Sequence, residues 1–397
     1  MRQAMASGMI VGQFNDSFKP IMDGVGLCVE NYTRWLDAKY GTAYAIVPHV
    51  PGYEDDDPFT VVRYPSLPIP VMPPYRLGIP WASPEVGKLL AWTGFDLVHS
   101  HSPFVAGRMA RRTAEEHDVP HVTTFHTKYR DDIRRFSRWE RLTEIIVKRI
   151  VRFYDGCHAV WTPSEATRET LWEYGYEGEI TVAPNGSDLA RPTDAERRRY
   201  RREGGGLIGA EENAFVFLFV GQHRWEKNVE LIIRGIGRLA ERDDLPAAFL
   251  LAFAGEGYAA ADMASMVRQV GIAEQTRFLG KIVDRETMKA LYARADLFLF
   301  PSVYDNAPLV MREAAAFGVP TVVAEGSSAA EVVCDGETGF VVANDPDAMA
   351  DALARLMRNR ELVERAGRGA ADSIYRSWEE IVDWAAGEYE RIIAAYD

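Results

Sequence analysis

The sequence predicts an α/β protein built from two doubly wound, Rossmann-like domains. Three observations lead there. Short β-like runs alternate with helix-period segments along nearly all of the 397 residues. Those runs are close to continuously apolar, as strands of a parallel sheet covered on both faces must be. The alternation halts once, at 191–212, and then restarts. At ~150 residues per domain the length suits two to three domains.

Taken in order, the first half offers strands at 9–14 (MIVGQF), 43–48, 96–101, 121–126, 157–164 and 179–185, rich in β-branched and aromatic residues. Between the first two, VGLCVENYTRWLDAKYG has helical spacing and ends on Gly41 as a C-cap would. Residues 65–84 hold seven prolines among apolar side chains, which excludes a central strand or helix and predicts an extended surface loop. An apolar loop facing water needs a partner. The stretch 191–212, RPTDAERRRYRREGGGLIGAEE, is charged, carries a glycine triplet and reads as an interdomain linker. Strands then follow at 214–221, 247–255, 276–280, 296–302, 320–325 and 339–344. The closing SWEEIVDWAAGEYERIIAAYD sets Trp378, Ile381, Trp384 and Ile392 near one helical stripe. The expected division is 1–190, a linker 191–212, 213–376, and a terminal helix 377–397.

Composition narrows the function. With 45 Lys and Arg against 58 Asp and Glu, the net charge is −13, a surface that repels nucleic acid. Cys28, Cys157 and Cys334 are odd in number and widely spaced, without a CxxC, so neither a zinc site nor a disulfide framework is expected. The start, MRQAMASGMIVGQF, turns polar too soon for a secretory signal, and no apolar run approaches the ~20 residues of a membrane span. A soluble cytoplasmic location is expected.

In doubly wound sheets ligands bind beyond the carboxyl ends of the strands. After the first strand, Gly24 and Gly26 precede a helix and would let backbone amides approach a ligand. After the first strand of the second half comes Gly221-Gln-His-Arg-Trp-Glu-Lys-Asn228, where Arg224 and Lys227 suit a diphosphate. Further on, Asp305 stands eight residues before Glu313, with the amides of Asn306, Ala307 and Leu309 between them at a helix start, placed for phosphate. His99 and His101, two apart on a strand, point to one face and read as structural or acceptor-side groups rather than metal ligands.

GEGYAAAD, FLGK, LYARADLFLFPS, the D-x7-E element, EAAAFGVPTVVA and DGETGF, in this order, resemble the nucleotide-sugar half of the family 4 retaining glycosyltransferases. GVG, DLVHSHSPF, TTFHTKY, TPSEATRETL and APNGSD match the other half. The resemblance implies a GT-B fold, two Rossmann-like domains facing a central cleft, with the acceptor on the first and the donor on the second. It implies that the terminal helix crosses back to the first domain. It also implies that Lys227 neutralises the donor diphosphate, Glu313 holds the ribose and Asp305, in place of a glutamate, lies near the transferred sugar. His126 would stand at the reaction centre and Gly280–Lys281 near the nucleobase. Where the family has an arginine, Gln222 stands here, and Arg224 is the candidate replacement. No metal and no cofactor beyond a nucleotide diphosphate sugar, UDP-linked in the similar subgroup, is implied.

The segment 128–152 carries nine Lys or Arg against four acids, interleaved with apolar residues. With the proline loop it predicts a reversible contact with an anionic membrane through Arg134, Arg135 and Arg138. RYPSLPIP…YRLGIP, TTFHTKY and VGQHRWEKN are similar to the diacylglycerol glucosyltransferases. The expected activity is therefore transfer of a hexose, glucose by resemblance, to a membrane lipid by a peripheral protein on the inner face of the membrane. A soluble or polyprenyl-linked saccharide acceptor, a nucleotide-sugar epimerase and a non-catalytic sugar-nucleotide module stand as alternatives.

Overall fold

Strands that are apolar along their whole length pair with parallel neighbours and need helices on both faces. The computed structural model, which describes residues 8–21, 23–70, 72–136 and 139–396, builds two such sheets. The chain divides into one unit running to Asn185 and resuming at Trp378, and a second from Gly186 to Ser377.

In the first unit the strands are β1 (Met9–Phe14), β2 (Gly41–Pro48), β3 (Thr60–Tyr64), β4 (Ser66–Pro68), β5 (Arg76–Gly78), β6 (Leu97–Ser100), β7 (His121–Thr124), β8 (Ala159–Thr162) and β9 (Ile180–Val182). Seven of them form one parallel sheet in the order β3-β2-β1-β6-β7-β8-β9. The helices are α1 (Gly24–Lys39), α2 (Pro84–Trp92), α3 (Val105–His117), α4 (Tyr129–Phe136), α5 (Glu140–Asp155) and α6 (Glu165–Glu173). Asp23 caps α1, its carboxylate accepting from the Gly26 amide at 2.6 Å. Helix α1 closes at Lys39 with Tyr40 as C-cap, so Gly41 is the first residue of β2 rather than a cap. Its φ of 145° and a space where a Cβ would meet Met9 O at 2.1 Å admit only glycine.

The proline-rich stretch is a small structure of its own. β4 and β5 pair antiparallel with Leu67 opposite Leu77, a 3-10 turn follows at Pro80–Ala82, and Ser83 caps α2. It stays outside the main sheet, as prolines that cannot donate to a ladder require.

The second unit holds β10 (Phe215–Val220), β11 (Phe249–Ala254), β12 (Thr276–Phe278), β13 (Leu297–Leu299), β14 (Thr321–Ala324) and β15 (Gly339–Val342), ordered β12-β11-β10-β13-β14-β15. Its helices are α7 (Asp194–Ile208), α8 (Val229–Ala240), α9 (Ala260–Gln269), α10 (Arg285–Arg294), α11 (Leu309–Ala316), α12 (Pro346–Arg358) and α13 (Arg360–Ser373). Phe215, Phe217 and Phe219 of β10 and Ile232, Ile233 and Ile236 of α8 lie in one buried core.

Most of 191–212 is a helix, α7 (Asp194–Ile208), rather than a linker. Thr193 and Glu196 form a reciprocal capping box at the start of α7. Tyr200, Gly204 and Ile208, four apart, are its buried stripe. Of the glycine triplet, Gly204 serves packing: a Cβ there would meet Ala290 O of α10 at 2.1 Å. Finally α14 (Trp378–Tyr396) belongs to the first unit and packs on α1, with Trp378 and Tyr389 fully buried.

Candidate functional site

Each sheet reverses its strand order once, between β1 and β6 in the first unit and between β10 and β13 in the second. Loops leave in opposite directions there and open a crevice at the carboxyl ends of the strands. The loops at this point carry Gly24, Gly26 and His101 in the first unit and Arg224, Lys227 and Asp305 in the second, whereas His126 follows β7 and Lys281 follows the edge strand β12.

In the second unit the loop after β10 turns at Gly221, whose φ is 156°, runs through a 3-10 turn at Trp225–Lys227 and enters α8 from Asn228. The Asn228 amide donates to Pro301 O at 3.2 Å and to Asn344 Oδ1 at 2.8 Å, tying this loop to the one after β13. Lys227 and Asp305, from these two loops, form an ion pair. Both are mostly buried, and Asp305 Oδ2 lies within the protein without a hydrogen-bond partner among the described residues. Asn306, Ala307 and Leu309 follow at the start of α11.

Glu313 lies deeper, 6% exposed. Arg285 Nη2 donates to its Oε1 and the Tyr292 hydroxyl to its Oε2, each at 2.7 Å, while Arg285 also pairs with Asp188. The carboxylate is thus held from below on both oxygens, a support that Asp188, Arg285 and Tyr292 provide and that spacing along the chain could not disclose. Arg224 is turned toward Gln222 Oε1, 3.1 Å, with its guanidinium 5.8 Å from the Tyr258 ring centroid. Lys281 is exposed beyond β12, after Gly280 at φ 68°. His223 is buried among Phe219, Phe253 and Phe278, and burial lowers its pKa.

In the first unit Gly24 and Gly26 open α1, but the Gly26 amide is already bound by Asp23, so it does not point at a ligand. Burial raises the pKa of the Asp23 carboxyl. His126, just past β7, is half-buried, and burial pushes its pKa down to about 3. His101 Nδ1 is 3.0 Å from His126 Nε2, and His99 and His101 sit ring against ring, 4.2 Å between centroids. Both are fully buried, which pushes them far below the usual imidazole range.

Of the expected membrane residues, Arg134 is paired with Glu140, the Arg135 side chain is not described, and Arg138 lies outside the described residues. The exposed face of α5 presents Arg141, Leu142, Ile145, Lys148, Arg149 and Arg152 instead. Trp81 and Trp92, on the 3-10 turn and α2, are 76% and 87% exposed. Among the described residues no helix is long and apolar enough to cross a membrane.

A family model described as Glycosyltransferase Family 4 matches residues 22–191, and one described as Glycosyl transferases group 1 matches 208–373. Glycogen synthase of Mycobacterium tuberculosis is 31% identical over 305 residues, 74% of this chain and 68% of that one. The chain belongs to the family 4 glycosyltransferases. As a family member it is a transferase that uses a sugar donor, and its fold is GT-B. The alpha-monoglucosyldiacylglycerol synthase of Streptococcus pneumoniae is 24% identical to this glycosyltransferase over 363 residues, 90% of this chain and 80% of that one. Among solved structures, Anabaena HepE in complex with UDP superposes with a TM-score of 0.75 at 17% identity, covering 96% of this chain and all of that one.

Proposed function

We propose that this glycosyltransferase moves a hexose, glucose from UDP-glucose, onto a membrane lipid such as diacylglycerol with retention at the anomeric carbon. The observation that carries the acceptor is the surface of the first unit. Trp81, Trp92, Leu67 and Leu77 are exposed on the proline-rich stretch and α2, and the exposed face of α5 mixes Leu142 and Ile145 with four cations. Exposed apolar side chains that water penalises, and on α5 cations worth ~1 kcal/mol each near an anionic surface, suit a bilayer. The lipid-directed activity named for the pneumococcal relative supports the same acceptor.

The donor reading rests on the second unit. Lys227 is paired with Asp305. An arriving diphosphate, with more negative charge, draws Lys227 to itself and leaves Asp305 to accept hydrogen bonds from sugar hydroxyls. As the bond to the leaving diphosphate lengthens, charge grows on its oxygens, where Lys227 and the amides at the start of α11 stabilise it. That diphosphate oxygen takes the proton of the attacking hydroxyl on the same face, so no protein nucleophile is required. Glu313, stiffened by Arg285 and Tyr292, presents a fixed acceptor to the ribose. The UDP complex of HepE supports the choice of base.

The test is incubation with UDP-glucose and diacylglycerol in anionic vesicles. An α-linked glucolipid is expected. Transfer only to soluble glucans, which the glycogen synthase relative favours, would reject the lipid, and sugar interconversion with donor alone would mark an epimerase.

A further inference from the structure

Gln13 interrupts the apolar β1 strand and is fully buried. A buried amide needs partners for both ends. Its Oε1 accepts from His101 Nε2 at 2.8 Å and its Nε2 donates to the Tyr389 hydroxyl of α14 at 3.3 Å. The chain of bonds continues both ways. His101 Nδ1 meets His126 Nε2 at 3.0 Å, the Tyr389 hydroxyl meets His99 Nδ1 at 2.6 Å, and His99 Nε2 meets Thr124 Oγ1 at 2.8 Å.

The amide of Gln13 gives this chain a direction. An amide oxygen only accepts, so His101 carries its hydrogen on Nε2. A neutral imidazole has one N–H, so His101 Nδ1 accepts, and His126 must be the donor through Nε2–H. On the other side the amide nitrogen donates to Tyr389, whose own hydrogen then goes to His99 Nδ1, and His99 donates through Nε2–H to Thr124. Burial favours the neutral form of all three rings. Packing holds them in place: His126 stacks on His101 with centroids 5.3 Å apart, and Tyr389 stacks on Trp161 at 5.3 Å with planes 5° apart.

We propose that Gln13, His101 and Tyr389 are positioning residues that hold His126 in its Nε2–H tautomer, so that α14 fixes the proton state of a reaction-centre histidine on β7's far end. The proposal rests on His126 standing at the reaction centre, as the family resemblance implies. With Nε2 protonated, Nδ1 is the basic nitrogen of His126, and the opposite tautomer would exchange donor and acceptor toward anything bound there.

Two-bond proton–nitrogen NMR of the full chain labelled with 15N-histidine reads the tautomers directly. In the native protein His126, His101 and His99 should all carry their hydrogen on Nε2. Tyr389→Phe keeps the ring on Trp161 but breaks the chain, so His126 should become a tautomer mixture. Its kcat should fall about tenfold, the worth of one buried hydrogen bond, with donor KM unchanged. His101→Phe should do the same from the near side. A native His126 protonated on Nδ1 would overturn the proposal. So would normal kcat in both variants with only a lower melting temperature, since the chain would then be purely structural. Full turnover in His126→Ala would instead remove the reaction-centre role beneath the proposal, while the native tautomer measurement, which needs no activity, still reads the chain by itself.

Discussion

At the scale of single residues, the proposed donor site is tested first at the Lys227–Asp305 pair. Lys227→Ala should lower kcat by about 10²-fold, as loss of one donor to a developing anion does, with a smaller change in donor KM; a raised donor KM with kcat unchanged would make Lys227 a uniform binding contact only. Glu313→Gln keeps the shape of the side chain but weakens its bonds to Arg285 and Tyr292. It should raise donor KM about tenfold, read by nucleotide titration, whereas unchanged affinity would take Glu313 out of the site. The buried imidazoles govern response to acid. His99, His101, His121 and His126 have depressed values, about 3 for the last two, each with burial as the first cause. Below the ordinary imidazole value near 6.5 the unfolded chain binds protons that the folded chain refuses. Stability therefore falls as pH drops from about 6.5 toward 3, by up to ~1.4 kcal/mol per pH unit for each group. Burial raises the pKa of Asp16 and Asp23, which acts in the opposite sense as pH falls toward their ordinary value of 3.8. Urea unfolding at pH 7.5, 6 and 5 should show the loss, and a flat profile over that span would contradict it. Asp305 and Glu313 were legible as one motif because both stand on one strand–loop–helix unit, whereas the Lys227–Asp305 pair joins loops 78 residues apart and was not. The bond of Gln13 to Tyr389 spans the whole chain and leaves no spacing to read, although a glutamine inside MIVGQF was itself a sign of a buried partner.

Among elements, α7 shows what pattern reading misses. Its buried stripe is only Tyr200, Gly204 and Ile208, too sparse to register as an apolar period beside five arginines, and its glycines imitate a flexible tether. The structure separates their roles. Gly204→Ala collides with Ala290 O and should destabilise by about 1–3 kcal/mol. Gly206→Ala meets nothing within 4 Å and should stabilise by about 0.5–1 kcal/mol through lower backbone entropy of the unfolded chain. Thermal melts of the two variants should move in opposite directions, and shifts of one sign would contradict the packing role. The strand β3 was hidden for another reason: TVVRY is short, follows a run of aspartates and meets Pro65 directly. On α5 the exposed face makes Ile145→Glu with Arg149→Glu the informative change. Binding to anionic vesicles should drop about tenfold at low salt and fade further as salt shortens the Debye length to ~8 Å and below.

For the whole molecule, the alternation of strands and helices announced two parallel sheets, and periodicity could do so because both faces of each strand are covered. It could not give strand order, nor show that the first unit is discontinuous, because those depend on contacts between distant segments. The second unit is one continuous stretch, Gly186–Ser377, closed on itself where the Ser187 amide donates to Arg376 O at 2.8 Å. Expressed alone, it should fold cooperatively and be stabilised by UDP. The stretch 8–185 alone lacks Trp378 and Tyr389, which at ~25 cal/mol per Å2 over 150–250 Å2 each are worth about 4–6 kcal/mol apiece as an upper bound. It should stay partly unfolded until a peptide spanning 378–396 is added; cooperative unfolding without that peptide would show α14 to be dispensable.

The placement of α14 also reverses the order in which the protein can be finished during synthesis. Domains made first usually fold first on the ribosome. Here the opening 185 residues emerge early yet wait for a helix encoded beyond the entire second unit. The later-made unit can close while the earlier-made one still lacks a layer of its core. A ribosome that stalls anywhere between the two leaves a nascent chain with a closed second unit and an unfinished first one, so the histidines of the first unit are enclosed only once α14 has been made.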